Sequence, residues 1–308
     1  MNQKKTILVT GATGAQGGSV AKALLAENNF AVRILTRNGQ SEKALALQQA
    51  GAEVVTGDLD DRESIRNAMK GCYGVFGVTN FWEHFEKEYE QGKNLIDAVK
   101  EMNIEHFVLH TLPDYNKLSN GTYPTPHCDI KAALQAYTVS QNIPATFMQV
   151  AFYYENFFTF FPLQKSADGG YSFGFPQGET KLAMVSIDDL GPVVAAVFNH
   201  PAEYIGRTVG VVGADDTCYE YAAAMSRVLD KKVSYQYIPR DEYAALGFDG
   251  AEELANMFEV QRLYIPQRQI DLIESYGLNP AMQPFERWLI KNKNRFTAMM
   301  KAEDAIIA

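Results

Sequence analysis

The chain has 308 residues, room for one large domain or a large domain with a smaller lobe, and its 46% hydrophobic and 21% charged content fits an ordered water-soluble protein. A formal charge of −9, with no Lys/Arg run longer than two residues, argues against direct nucleic-acid binding. Cys72, Cys128 and Cys218 lack metal-ligand or redox-pair spacing and no stretch approaches a membrane span, so no metal, disulfide or membrane is expected, and the location is read as cytoplasmic with the nucleus open.

In chain order, β-branched runs at 6–10, 31–36, 53–56, 74–78, 107–110 and 145–150 alternate with amphipathic stretches at 17–27, 41–50, 62–70, 83–102 and 129–141. The run at 6–10 is too short for a signal-peptide core. Parallel strands need crossovers and helices supply them, so the rhythm predicts an α/β fold with a Rossmann-type, doubly wound parallel sheet. Ile7-Leu8-Val9 and Phe107-Val108-Leu109 are continuous apolar triplets, as strands buried on both faces require. Residues 152–180 break the rhythm with aromatics, Gly and Pro. Ser186 to Asp189 then cap a helix through Phe198, and 208–212 reads as a further strand of the sheet. The remainder of the chain reads as mostly helical. The expected division is a nucleotide domain of 1–152 plus about 185–215, and a smaller C-terminal α+β lobe of about 153–184 and 216–308.

The strongest local signal is Thr10-Gly11-Ala12-Thr13-Gly14-Ala15-Gln16-Gly17-Gly18, placed after the first strand and opening a helix. Gly11 permits a tight turn, Gly14 lets the backbone approach a pyrophosphate, and Gly17 allows close helix–strand packing. The helix N-terminus offers free amides and a positive dipole end to phosphates. Thr13 and Gln16 share this loop and are expected to contact the cofactor. An NAD site places a carboxylate on the second strand roughly 20 residues further on. Here the sequence reads Thr36-Arg37-Asn38. Arg37 is suited to a 2′-phosphate through charge-assisted bonds, with Thr36 and Asn38 as neutral donors, so the expected cofactor is NADP+ or NADPH. Arg33 reads as a surface residue. After the third strand, Asp58 is positioned to accept from an adenine amine and Leu59 to pack on its ring; Asp58 also reads as a cap for the next helix.

These stretches resemble the atypical short-chain dehydrogenase/reductases and, more narrowly, the NmrA-like family. The resemblance is carried further by Val78-Thr79-Asn80-Phe81-Trp82-Glu83, Thr111-Leu112-Pro113, His127-Cys128-Asp129-Ile130-Lys131, Phe152-Tyr153-Tyr154-Glu155-Asn156 and Val185-Ser186-Ile187-Asp188-Asp189. It implies that Thr79, Asn80 and Phe81 lie along the nicotinamide half of NADP, with Lys131 near its ribose and Tyr153 and Asn156 at the mouth of the cleft. It places His127 where active relatives carry the tyrosine of Tyr-x-x-x-Lys. His110 stands where many carry a helper serine, which leaves Thr111 as the substitute and Tyr123 as an alternative phenol. A spacing of four keeps His127 and Lys131 on one helical face. Imidazole exchanges protons near neutrality, although a nearby ammonium opposes its charged form. A redox pairing of Cys128 with His127 is disfavoured because adjacent helical residues point apart. The aromatics at 152–161 read equally as cleft wall or as core.

Because the phenol is missing, the leading expectation is an NADP(H)-responsive regulator acting through a protein partner. The resemblance implies a GATA-type transcription factor or a signalling protein as that partner, and a monomer or homodimer. The alternative is an NADPH-dependent reductase of quinones or small carbonyl compounds using Lys131 and His127.

Overall fold

A computed structural model describes residues 4–83 and 85–307. Strand–helix alternation opens the chain: β1 (Thr6–Val9), α1 (Ala15–Glu27), β2 (Ala31–Thr36), α2 (Glu42–Gln49), β3 (Glu53–Thr56), α3 (Arg62–Met69), β4 (Gly74–Gly77), α4 (Glu88–Glu101), β5 (His106–Thr111), α5 (Tyr115–Leu118), α6 (Pro126–Ser140) and β6 (Ala145–Val150). The aromatic stretch holds β7 (Phe152–Tyr153), a single 3-10 turn at Tyr154–Phe158, β8 (Gln164–Lys165), β9 (Tyr171–Phe175) and β10 (Lys181–Val185). Next come α7 (Ile187–Asn199), α8 (Pro201–Tyr204), β11 (Thr208–Val211), β12 (Ala214–Thr217), α9 (Cys218–Leu229), β13 (Val233–Tyr237), α10 (Arg240–Ala244), α11 (Ala251–Tyr264), α12 (Gln269–Leu278) and α13 (Phe285–Ile307).

Seven strands form one parallel sheet in the order β11-β6-β5-β4-β1-β2-β3, a Rossmann-like α/β arrangement. Successive side chains of a strand point to opposite faces, and both faces are covered. Ile7, Val9 and Phe76 join the face of the nucleotide-domain core beneath α1 and α7, while Leu8, Val75 and Phe107 join its other face beneath α3, α4 and α6. Helices α1 and α7 meet backbone to backbone. A Cβ on Gly191 would lie 2.2 Å from the Ser19 carbonyl oxygen. The Ser19 hydroxyl accepts from Gly191 N at 3.0 Å and donates to Asp188 O at 3.2 Å, tying the helices together.

The second core gathers Tyr154, Phe157, Phe173, Phe175, Phe258 and Trp288 under two three-stranded sheets, β12-β10-β7 and β13-β9-β8. The expectation of a mostly helical remainder therefore missed β12 and β13, which are only four and five residues long. Helix α12 also departs from the expected division, since Leu272, Tyr276 and Leu278 pack on the nucleotide-domain core beside β11. Two helix starts differ from the sequence reading. Helix α4 begins at Glu88, so Trp82 and Glu83 lie in turns before it, and α6 begins at Pro126, which brings His127 into its first turn. No described helix is long and apolar enough to cross a membrane.

Candidate functional site

The loop between β1 and α1 is shaped by what a Cβ would strike. Gly11 has φ +60°, and a Cβ there would lie 2.7 Å from Val78 Cγ1; on Gly17 it would lie 2.4 Å from Gly11 O. Gly14 N donates to Gly11 O at 2.9 Å, and Thr10 Oγ1 accepts from Val78 N at 3.0 Å, which fixes the loop against the end of β4. Gly14 caps α1 without a side-chain hydrogen bond, so its first-turn amides stay available to an anion. Thr13 is half-buried in the loop. Gln16 faces the main cavity with its Oε1 buried and unpartnered, a polar atom in want of a ligand.

Arg37 sits just past β2 and its Nη2 lies 2.5 Å from Glu83 Oε1. Asn80 Nδ2 donates to the other oxygen of Glu83 at 3.2 Å, so the turn after β4 is bonded to the candidate 2′-phosphate residue. Thr36 Oγ1 accepts from Asn38 N, and Asn38 Oδ1 from Gln40 N. Asp58 Oδ1 accepts from Asp60 N at 3.0 Å and leaves the capping of α3 to Asp61, which corrects the cap reading. Leu59 is half-buried against the sheet core. Arg33 is no free surface charge: it bonds Glu53 at 2.7 Å and the carbonyls of Ala68 and Lys70 at the end of α3.

A cavity of about 720 Å3 runs from Gln16 and Thr79–Phe81 between the two cores. Phe152, Tyr153, Phe161, Tyr243 and Met257 supply much of its apolar wall, and Asn156 and Gln261 add amides. The aromatic stretch thus serves both purposes weighed from the sequence. Phe152, Tyr153, Phe160 and Phe161 line the cavity, while Tyr154 and Phe157 are buried in the second core.

Two polar groupings occupy the wall. Lys131 Nζ donates to Glu88 Oε1 at 2.5 Å and to Thr79 Oγ1 and O at 3.2 and 3.3 Å, while the Thr79 hydroxyl donates to the same Glu88 oxygen at 2.6 Å. The second is His127, whose Nδ1 lies 2.6 Å from Glu253 Oε1, with Phe81 and Trp82 against its ring at centroid separations of 6.0 and 5.4 Å. The partner of His127 is therefore a carboxylate, where the sequence reading looked only to the Lys131 ammonium.

The remaining candidates separate by position. His110 lines the cavity, and burial first, then Lys131, holds its pKa well below the ordinary value. Thr111, one residue on, is fully buried off the wall with its hydroxyl unpartnered, and Tyr123 packs against the second core; neither reaches the cavity, which removes both as proton donors there. Cys128 does line it, but burial pushes its thiol pKa well up, which disfavours the reactive thiolate. Burial likewise raises the Tyr153 phenol. Among the described residues no cluster of three metal-ligating side chains occurs. Sequence reading missed Glu88 and Glu253, because a carboxylate on an amphipathic helix carries no mark of what it will face.

Comparison with known proteins places this geometry in a family. The NmrA-like family matches residues 3–280. An NmrA-like family domain-containing protein of Dictyostelium discoideum is 34% identical over 248 residues, covering 78% of this chain and 82% of its own length. An NmrA-like family domain-containing oxidoreductase of an Aspergillus species is 32% identical over 268 residues, covering 79% of this chain and 78% of its own. The solved structure of NmrA, a negative transcriptional regulator, in complex with NADP shares the fold at a TM-score of 0.81 and 21% identity, with 98% of each chain covered. The chain belongs to the NmrA-like family.

Proposed function

We propose that the protein binds NADP(H) and acts as a reductase of small, largely apolar carbonyl compounds, quinones among them. One observation carries this reading: the nucleotide loop, Lys131 and His127 open onto a single apolar cavity of about 720 Å3. That volume is in the range of small-molecule sites. The residues present fit the dinucleotide, for Gly11, Gly14 and Gly17 leave no Cβ over the helix amides, Gln16 Oε1 lacks a partner, and Arg37 offers an exposed guanidinium just past β2 that suits a 2′-phosphate. The NADP complex of a protein with this fold supports the same assignment.

When bound, the reduced nicotinamide supplies a hydride to the carbonyl carbon. The chain's part is then to place the carbonyl and protonate its oxygen. His127 in its imidazolium form gives the Nε2 proton to that oxygen, completing the alcohol, and regains a proton from water. Lys131, whose three N–H groups are taken by Glu88 and Thr79, fixes the turn at Thr79 on the wall beside the carbonyl. The aromatic wall excludes water around the carbonyl. NADPH consumption followed by absorbance across a carbonyl and quinone panel tests this: turnover that falls about 10²-fold in His127→Phe supports it, and no turnover with any acceptor refutes it.

A second reading is regulatory. Glu83, which bonds Arg37, belongs to the turn that exposes Trp82 and Phe85, so a 2′-phosphate claiming Arg37 would release that turn for a protein partner to read. A partner that binds the nucleotide-loaded and free protein equally would remove this reading.

A further inference from the structure

We infer that Glu253 is the positioning residue for His127, and that the two form a carboxylate–imidazole pair on the cavity wall. The inference rests on the reductase reading for its catalytic consequence, while its structural half stands alone. Glu253 lies in the first turn of α11 and His127 in the first turn of α6, 126 residues apart in sequence. One carboxylate oxygen accepts twice from the same residue, from His127 N at 2.7 Å and from Nδ1 at 2.6 Å. Both side chains are nearly closed to solvent, at 10% and 15% exposure. A charge-assisted pair so shielded fixes the ring far more firmly than a surface contact would.

A carboxylate accepts only, so Nδ1 must carry the hydrogen. That leaves Nε2, which bonds no other described residue, as the nitrogen offered to the cavity that the ring lines. Neutral imidazole then has its lone pair on Nε2. Imidazolium has a proton there, and its charge is balanced by Glu253. Loss of that proton to a carbonyl oxygen returns the ring to the neutral Nδ1–H tautomer without any turn of the side chain. The bond from Nδ1 to Glu253 opposes the flip that would exchange the nitrogens, and Phe81 and Trp82 flank the ring. Because Glu253 comes from the second lobe, the proton donor is complete only when that lobe is seated against the nucleotide domain.

The test uses the full chain with 15N-labelled histidine, at alkaline pH where imidazole is neutral, with His127 assigned by its absence from a His127→Gln spectrum. The wild type should show the Nδ1–H tautomer at His127. Glu253→Ala should shift it toward the Nε2–H form that predominates in water, with the His106 signals unchanged as a check on folding. Glu253→Gln, whose amide oxygen can still accept both bonds, should retain the tautomer but lose the balancing charge, and carbonyl reduction should drop about 10²-fold in kcat with KM for NADPH little changed. A wild-type Nε2–H tautomer, or an unaltered tautomer in Glu253→Ala, overturns the positioning role. Unimpaired kcat in Glu253→Gln reduces Glu253 to a helix cap and overturns its part in proton transfer. Absence of turnover in the wild type with the Nδ1–H tautomer in place would instead overturn the reductase reading and leave the pairing intact.

Discussion

Glu88 on α4 and Lys131 on α6 meet at 2.5 Å with both side chains shut away from water, and Thr79 bonds both of them. Removing one member of a buried ion pair strands the other, at a cost of about 3–5 kcal/mol, whereas neutralising both costs much less. Lys131→Met should therefore destabilise the protein by about that amount in urea unfolding, and adding Glu88→Gln should recover most of the loss. A double variant no more stable than the single one would show that Glu88 is not what suffers.

The glycine loop offers a steric prediction. A Cβ on Gly17 would sit 2.4 Å from Gly11 O, and backbone cannot yield as a side-chain tip does. Gly17→Ala should cost about 1–3 kcal/mol and weaken NADP binding by more than about tenfold, because the amides that face the pyrophosphate move with the loop. Gly71→Ala is the control. Its φ of +73° strains an alanine, but no atom lies within 4 Å of the new methyl, so stability should fall by about 1–2 kcal/mol with nucleotide affinity unchanged.

His106 makes stability depend on acid. Its Nε2 faces Thr146 Oγ1 at 2.9 Å, that hydroxyl donates to Tyr204 O, and Nδ1 is buried without a donor. Burial thus lowers its pKa to about 4 from 6.5. Between those values the unfolded chain holds the proton and the folded one does not, so stability falls as pH falls through the window, by about 3 kcal/mol at pH 4. His110, also depressed, acts in the same direction. Urea midpoints from pH 7 to pH 4 should show the slope, and His106→Gln should flatten part of it; an unchanged slope would assign the effect elsewhere.

The Arg37–Glu83 pair is exposed, and such pairs contribute at most about 1 kcal/mol. Glu83→Gln should then raise NADP affinity by no more than about fivefold and leave NAD affinity alone. A weakening of NADP binding would mean that Glu83 holds Arg37 in place for the phosphate instead of competing with it.

How legible each feature was in the sequence depends on how it is encoded. The central strands β1, β4 and β5 were visible because burial on both faces demands apolar runs, edge strands such as β3 through their β-branched pairs, and the glycine loop because close backbone approach demands glycine at fixed spacing. Strands such as β12, Ala214–Thr217, were hidden: the segment reads ADDT, and Asp215 keeps its buried place through a hydrogen bond from Arg268 N, 53 residues on. The site was half visible. Lys131 and His127 were pointed to by the resemblance to the NmrA-like family, whereas Glu88 and Glu253 are 43 and 126 residues from their partners and sit among ordinary helical glutamates. Thr111 and Tyr123 were plausible by chemistry alone, and the strand phase of one and the packing of the other turn them away from the cavity.

Arg37 and the α1 amides together take a phosphorylated dinucleotide on this account, and isothermal titration of wild type and Arg37→Ser with NADP and NAD tests that most directly. Charged hydrogen bonds to the 2′-phosphate should make NADP bind the wild type at least about tenfold more tightly than NAD, and Arg37→Ser should abolish that margin by weakening NADP alone. A wild type that prefers NAD, or an Arg37→Ser variant that keeps its preference for NADP, would contradict the account.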